Sequence, residues 1–191
     1  MRDAVLVQAG SNQHRPLLEF AFPRHAEYCA RWGFDYRAEY EPQQTERHPV
    51  WDKIVLLRAA LEAGYPYVVW LDADALIVDP TTDLRLALRW DLGMCDHPGP
   101  PYHLNAGAIY LRNEPWVREL FQRVWELHRE HPWQEQQVLN ELLEARRWAG
   151  VEVLHARWNS TVGVNEVAAA VVRAWHGPQD PQERLQAMQA L

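Results

Sequence analysis

Two aspartates one residue apart, Asp72 and Asp74, stand directly behind an apolar run in the stretch YPYVVWLDADALIVDP, Tyr65 to Pro80. Like charges this close repel one another unless a proton or a cation sits between them. All-oxygen ligation of that kind suits magnesium or manganese. Residues i and i+2 of a strand share a face, so the pair is expected to project together from the carboxyl end of a buried strand, the edge at which open α/β sheets bind ligands. An acidic pair behind a strand is also plain turn chemistry. Asp79-Pro80 already supplies a turn signal a few residues on, and this favours a chemical use for the first pair. Other residue types invite the same question. Lys53, the only lysine, lies one turn into an amphipathic segment, where a lysine is ordinarily solvated. Glu135 and Gln136 stand in a polar first helical turn, ordinarily a matter of capping. His176, followed by Gly177, is one of nine histidines, and a single histidine is more often a structural or surface residue.

The elements that must position these groups follow from apolar periodicity. Ala4 to Ala9 reads as a first strand, stopped at Gly10-Ser11 in a tight turn that could admit a nucleotide. Arg15 to Trp32 has helical spacing interrupted at Pro23, Gly33 ends it, and Phe34 to Tyr40 alternates as a strand, completing a βαβ unit. Pro49 to Ala63 reads as a helix carrying Lys53, and it is followed by the central strand with Asp72 and Asp74. Thr81-Thr82-Asp83 caps a short helix through Trp90, Leu92 to Cys95 suits a brief strand, and His97 to Pro101 can only be a loop. Tyr102 to Asn113 reads as two β-prone halves joined at Asn105-Ala106-Gly107; a glycine inside a strand often marks close approach of a ligand or another backbone. Helices are expected from Asn113-Glu114-Pro115 to about Arg129 and from Pro132 to about Trp148, then a strand over Val151 to Leu154. Val167 to Ala174 fits a strand or a helical turn, and Gln179 to Leu191 a polar, peripheral helix.

Length and composition bound the rest. A chain of 191 residues is most simply one domain, 1–191, which buries about 70% of its unfolded surface without disulfide staples. Cys29 and Cys95 have no ligand spacing and are expected to be free, buried thiols in a reducing compartment. No run approaches a secretory or membrane-spanning length, so the protein is expected to be soluble and cytoplasmic. A net charge of −7 argues against nucleic-acid and anionic-membrane partners. Any bound phosphate would be held locally.

Taken in order, the motifs resemble the GT-A-fold glycosyltransferases, most closely the galactosyl/mannosyl/xylosyltransferase family. The likeness runs from His25 to His176. HAEYCARWGFDY is similar to that family's histidine-to-tyrosine helix and second strand, WDKIVLLRAAL to its tryptophan-x-lysine helix, VVWLDADALIVDP to its signature strand, and NAGAIYLRNEPW to its asparagine-x-glycine strand. The resemblance implies an α/β GT-A fold, Rossmann-like, with a central, mostly parallel mixed sheet flanked by helices. It implies transfer of a hexosyl or pentosyl group from a UDP-sugar or GDP-sugar to a carbohydrate or other hydroxyl acceptor, with retention of anomeric configuration. A Mn2+ (or Mg2+) ion would be held by Asp72, Asp74 and His176. Gly10, Lys53, Asp72, Ala73, Asp74, Asn105, Ala106, Gly107 and Gly177 would bind the nucleotide sugar, and Glu135 and Gln136 would face the reacting sugar carbon.

Departures from the pattern carry expectations of their own. The family's lysine after the C-terminal histidine is missing, which shifts diphosphate neutralisation onto the metal, Arg157 or Arg173. Its membrane anchor and long acceptor region are also missing, so the chain reads as a minimal catalytic core. Two other functions compete. A haloacid-dehalogenase-like phosphatase also uses Asp-x-Asp, but places it near the N-terminus and needs a downstream lysine, which this chain lacks. A non-catalytic nucleotide-sugar or carbohydrate binder on the same fold would keep the acidic pair.

Overall fold

The computed structural model describes residues 2–96, 104–130, 133–147, 149–176 and 180–191. In chain order its principal elements are β1 (Ala4–Ala9), α1 (Arg15–Trp32), β2 (Phe34–Glu39), α2 (Asp52–Glu62), β3 (Tyr67–Leu71), β4 (Ala75–Ile77), β5 (Leu92–Asp96), β6 (Leu104–Arg112), α3 (Pro115–Glu126), α4 (Gln134–Ala145), β7 (Val151–Leu154), β8 (Ser160–Thr161), β9 (Val172–Ala174) and α5 (Pro181–Gln189). The expected loop over His97 to Pro101 lies outside the described residues.

Six strands form the main sheet in the order β2-β1-β3-β6-β5-β7, and β4-β9-β8 form a second, smaller one. In the main sheet β1 runs parallel to β2 and β3, and β5 parallel to β7, while β6 is antiparallel to both of its neighbours. The expected mostly parallel mixed sheet is therefore present. The unbroken apolar runs of β1 and β3 follow from burial on both faces. Val5, Val7, Val68 and Trp70 join one core with Ile54, Leu57 and Leu61 of α2, Phe121 of α3 and Leu139 of α4. Their strand neighbours Ala4, Leu6, Val69 and Leu71 point the other way, into a core with Tyr28 and Cys29 of α1 and Ala75, Ile77, Val172 and Ala174 of the small sheet.

Local chemistry explains where the elements stop. Gly33 closes α1 with φ 74° and donates its N–H to the Cys29 carbonyl, a left-handed cap that glycine adopts at little cost. The expected interruption at Pro23 does not occur, and α1 continues through it. Proline removes one helical hydrogen bond, but Leu17, Leu18, Ala21, His25, Tyr28 and Cys29 are buried along this helix and hold it together. Asn105-Ala106-Gly107 does not divide the β6 segment, which is one strand of nine residues. The helix expected before Trp90 is a single 3-10 turn, Leu84–Ala87, capped by Asp83. The ambiguous stretch ending at Ala174 supplies β9, a strand.

One feature of the path positions the site. After β3 the chain turns through Asp72-Ala73-Asp74 and leaves the main sheet for the small one, with the Ala75 N–H donating to the Asp72 carbonyl at 3.0 Å. β4 then pairs antiparallel with β9, Ala75 opposite Ala174, and the Trp175 N–H donates to the Asp74 carbonyl at 3.1 Å. Asp74 and His176, more than a hundred residues apart, are thus brought to the same end of one ladder. No described helix is long and apolar enough to cross a membrane.

Candidate active site

The Asp72–Asp74 turn forms part of the wall of a cavity of about 470 Å3. Gly10 to His14 behind β1, His48 to Val50 and Lys53 at the start of α2, His176 and Arg184 complete most of the lining. The carboxylates of Asp72 and Asp74 and the ring of His176 each bring a ligand atom within 4.8 Å of the others. The two acids were expected to converge through strand pleating; they converge instead because the chain turns between sheets at their position.

Each member is held by named partners. One oxygen of Asp72, Oδ1, accepts from Trp70 Nε1 at 2.7 Å and from Lys53 Nζ at 3.0 Å. The Asp72 carbonyl accepts from Gln8 Nε2 at 3.1 Å. Asp74 is buried, and its Oδ2 faces His176 Nδ1 at 3.3 Å and Arg184 Nη1 at 2.7 Å. Burial alone would raise the Asp74 carboxyl, but His176 and Arg184 outweigh it and hold the group below its ordinary value. For His176 burial favours the neutral ring, yet Asp74 prevails and raises its pKa. Asp74 Oδ1 and His176 Nε2 are buried with no hydrogen-bond partner. Buried polar atoms are rarely left so, and a carboxylate oxygen and an imidazole nitrogen are donor types that a divalent cation fits.

Lys53 is buried, not solvated. Its ammonium donates to Glu135 Oε1 and to the Ala106 carbonyl, both at 2.9 Å. Burial disfavours its charge, but Asp72 and Glu135 together raise its pKa. Glu135 is also buried, and desolvation lifts its carboxyl pKa against the pull of Lys53. An Asp72–Lys53–Glu135 chain therefore runs from the cavity wall into the core. A buried pair of this kind adds little net stability but costs about 3–5 kcal/mol to break, so it fixes the orientation of Asp72.

The remaining expected site residues divide into two groups. Gly10 and Ala73 line the cavity. A Cβ on Gly10 would fall 2.9 Å from the His14 carbonyl oxygen and from Leu18 Cβ, and 3.3 Å from Ala73 Cβ, so here glycine serves the packing of α1 against the acidic turn. Asn105, Ala106, Gly107, Glu135 and Gln136 form a layer alongside the cavity wall. Asn105 Oδ1 accepts from the Gly107 N–H at 2.6 Å and from Asn159 Nδ2 at 3.0 Å, and Gln136 Oε1 accepts from the Ala106 N–H at 2.8 Å. A Cβ on Gly107 would fall 2.7 Å from His176 Nε2, so the close approach made by this glycine is to the imidazole. Gly177 lies outside the described residues.

Arg157 and Arg173, expected as alternative diphosphate partners, are elsewhere. Arg157 lies over the Trp158 ring, and Arg173 pairs with Glu166 at 3.7 Å beside a different cavity. Arg184 takes the place at the cleft instead, from a helix that sequence reasoning set at the periphery; nothing in QERLQAMQ distinguishes it. Gln8 was also missed, although a glutamine inside the apolar strand AVLVQA is a visible signal of a buried polar partner.

Comparison with known proteins adds to this geometry. Among solved structures, one of a glycosyltransferase involved in glycosylation of the major capsid of PBCV-1 superimposes with a TM-score of 0.82, covering 98% of this chain and 99% of that one at 19% identity. The chain has the GT-A glycosyltransferase fold. Galactosyltransferase LgtC, solved with donor and acceptor sugar analogues, resembles this GT-A chain with a TM-score of 0.58 at 16% identity, covering 97% of this chain and 95% of its own. GlyE of Streptococcus pneumoniae TIGR4 gives 0.55 at 18% identity over 82% of this chain and 45% of its own. Residues 4–88 match the model of the galactosyl transferase GMA12/MNN10 family, the segment that contains Lys53 and both aspartates. The family match over this segment and the fold of the whole chain agree with one another. No curated protein sequence matches it.

Proposed function

We propose that this GT-A protein is a single-domain, metal-dependent transferase that moves a hexosyl or pentosyl group from a UDP-sugar or GDP-sugar to an acceptor hydroxyl, with retention. The observation that carries the reading is the convergence of ligand atoms of Asp72, Asp74 and His176 within 4.8 Å, with Asp74 Oδ1 and His176 Nε2 buried without hydrogen-bond partners. Those three residues would hold a Mn2+ or Mg2+ ion, which when bound neutralises the diphosphate and acts as a Lewis acid on the departing oxygens. The other residues serve orientation. Lys53 fixes one oxygen of Asp72, Glu135 balances the buried ammonium, Gln8 anchors the turn, and Gly107 leaves room for the His176 ring. The ion pair of Glu135 with Lys53 argues against Glu135 as a covalent nucleophile and for attack of the acceptor on the face from which the diphosphate leaves. The free, buried thiols Cys29 and Cys95 suit a reducing, cytoplasmic setting.

Titration calorimetry with UDP and GDP, with and without Mn2+ and on Asp74→Asn, tests this reading. Metal-dependent binding that weakens by about tenfold or more in the variant is expected, since a buried charged ligand is lost; equal affinity in all cases would defeat the proposal. A second reading, a nucleotide-sugar binder without turnover, is favoured by one observation: Glu135 and Gln136 spend their side chains on Lys53 and the Ala106 N–H. Slow release of nucleoside diphosphate from a panel of nucleotide sugars with Mn2+ separates the two, because a pure binder releases none.

A further inference from the structure

The C-terminal helix α5 sends one side chain into the cleft, and it lands on a proposed metal ligand. Arg184 Nη1 lies 2.7 Å from Asp74 Oδ2, the same oxygen that faces His176 Nδ1. The guanidinium is mostly buried, with its side chain 17% exposed, and it lines the same cavity as Asp72, Asp74 and His176. The helix that carries it is anchored independently. The Asp180 side chain caps its start, and Met188 is buried against Leu17, Leu18 and Trp175.

The charges around the cavity are informative. Lys53, the other permanent cation of the lining, is committed inside the wall to Asp72 and Glu135. Arg184, whose head lies on Asp74, is the second permanent cation among the described lining residues. Yet it sits against Asp74, on the carboxylate whose other oxygen, Oδ1, is the one left for a divalent ion. Hard divalent cations bind carboxylate oxygens at about 2.0–2.6 Å, so an ion on Asp74 and a guanidinium 2.7 Å from the same carboxylate would stand a few ångströms apart and repel strongly.

We propose that Arg184 is an exchangeable partner of Asp74: it neutralises that carboxylate when no divalent cation is bound, and passes to the diphosphate of the donor when a cation takes its place. This inference rests on the transferase reading above. An arginine suits both positions, since its planar fork matches carboxylate and phosphate oxygens alike, and its long stem lets the head move while α5 stays docked. Metal and nucleotide binding then become linked through one side chain. The metal must displace it, and the nucleotide gains it.

The test is binding on the full chain, measured by calorimetry with Mn2+ alone and then with UDP and GDP at saturating Mn2+, for wild type, Arg184→Gln and Arg184→Lys. Removing the competitor should tighten Mn2+ alone in Arg184→Gln by about three- to tenfold, while nucleotide binding in the presence of Mn2+ weakens by about tenfold, the scale of one charge-assisted contact. Arg184→Lys, which keeps the charge without the fork, should fall between them on both measurements. These opposite shifts are a result that mere structural damage does not give. Arg184→Gln that weakens both ligands together, or leaves both unchanged while its thermal melt matches wild type, overturns the exchange; if Arg184→Gln fails to fold, Arg184→Lys identical to wild type on both measurements does the same. Wild type that binds neither Mn2+ nor nucleotide overturns the transferase reading itself, and the exchange with it.

Discussion

Gly107 illustrates how little space separates the proposed cation site from a blocked one. Its hydrogen occupies space that a methyl group would claim 2.7 Å from His176 Nε2 and 2.9 Å from Cε1. Because the opposing group is an imidazole tied to Asp74, Gly107→Ala is expected to keep the fold but push the ring away. Mn2+ affinity by calorimetry should drop by about tenfold or more, the scale of a displaced ligand; affinity unchanged from wild type would mean that His176 takes no part in holding the ion. At this scale much was legible in the sequence. Asp72, Asp74 and His176 could be grouped by motif order, and the structure brings them together. The duties of Lys53, Glu135 and Gln136 were less legible, because spacing places a residue on an element and says nothing of what lies across from it. Arg184 was illegible for the same reason: a side chain that crosses from a polar helix leaves no local trace.

At the scale of elements, α1, β1 and β4 are joined by a buried polar relay around His25. Its Nε2 accepts from the Ile77 N–H at 3.0 Å, so Nδ1 carries the proton and donates to Gln8 Oε1 at 2.6 Å; Gln8 in turn holds the Asp72 carbonyl. Burial, with Arg24 nearby, depresses the His25 pKa from 6.5 to about 3. The folded ring therefore stays neutral while the unfolded one protonates below its ordinary value. Stability from this residue is full above pH 6.5 and is lost as the pH falls from there toward about 3, at up to about 1.4 kcal/mol per pH unit. Urea unfolding of wild type and His25→Gln at pH 7 and pH 5 should give a larger acid loss for wild type; equal losses would refute a neutral buried ring. The elements themselves were largely readable, β1 and β7 to the residue. Where reading failed, tertiary packing overrode a local rule: Pro23 sits inside a helix held by its buried face, and the acidic pair lies in a turn between sheets, not on a pleat.

For the molecule as a whole, the fold class was readable because a βαβ unit, a second apolar strand and a sequence of motifs all agree with one topology. The small sheet was not, since its strands are two or three residues long and carry no period of their own. Yet the meeting of Asp74 with His176 depends on it. The antiparallel register Ala75 to Ala174 and Ile77 to Val172 works as a gauge, setting the separation of two groups that the backbone connects only by a long detour. An alanine inserted after Gly163, in an exposed turn, should leave Mn2+ affinity as it is, whereas one inserted after Val172 should abolish it, because a one-residue slip in a strand reverses the direction of every side chain beyond it. Drift in loop length is harmless wherever it bypasses that gauge, and ruinous within it.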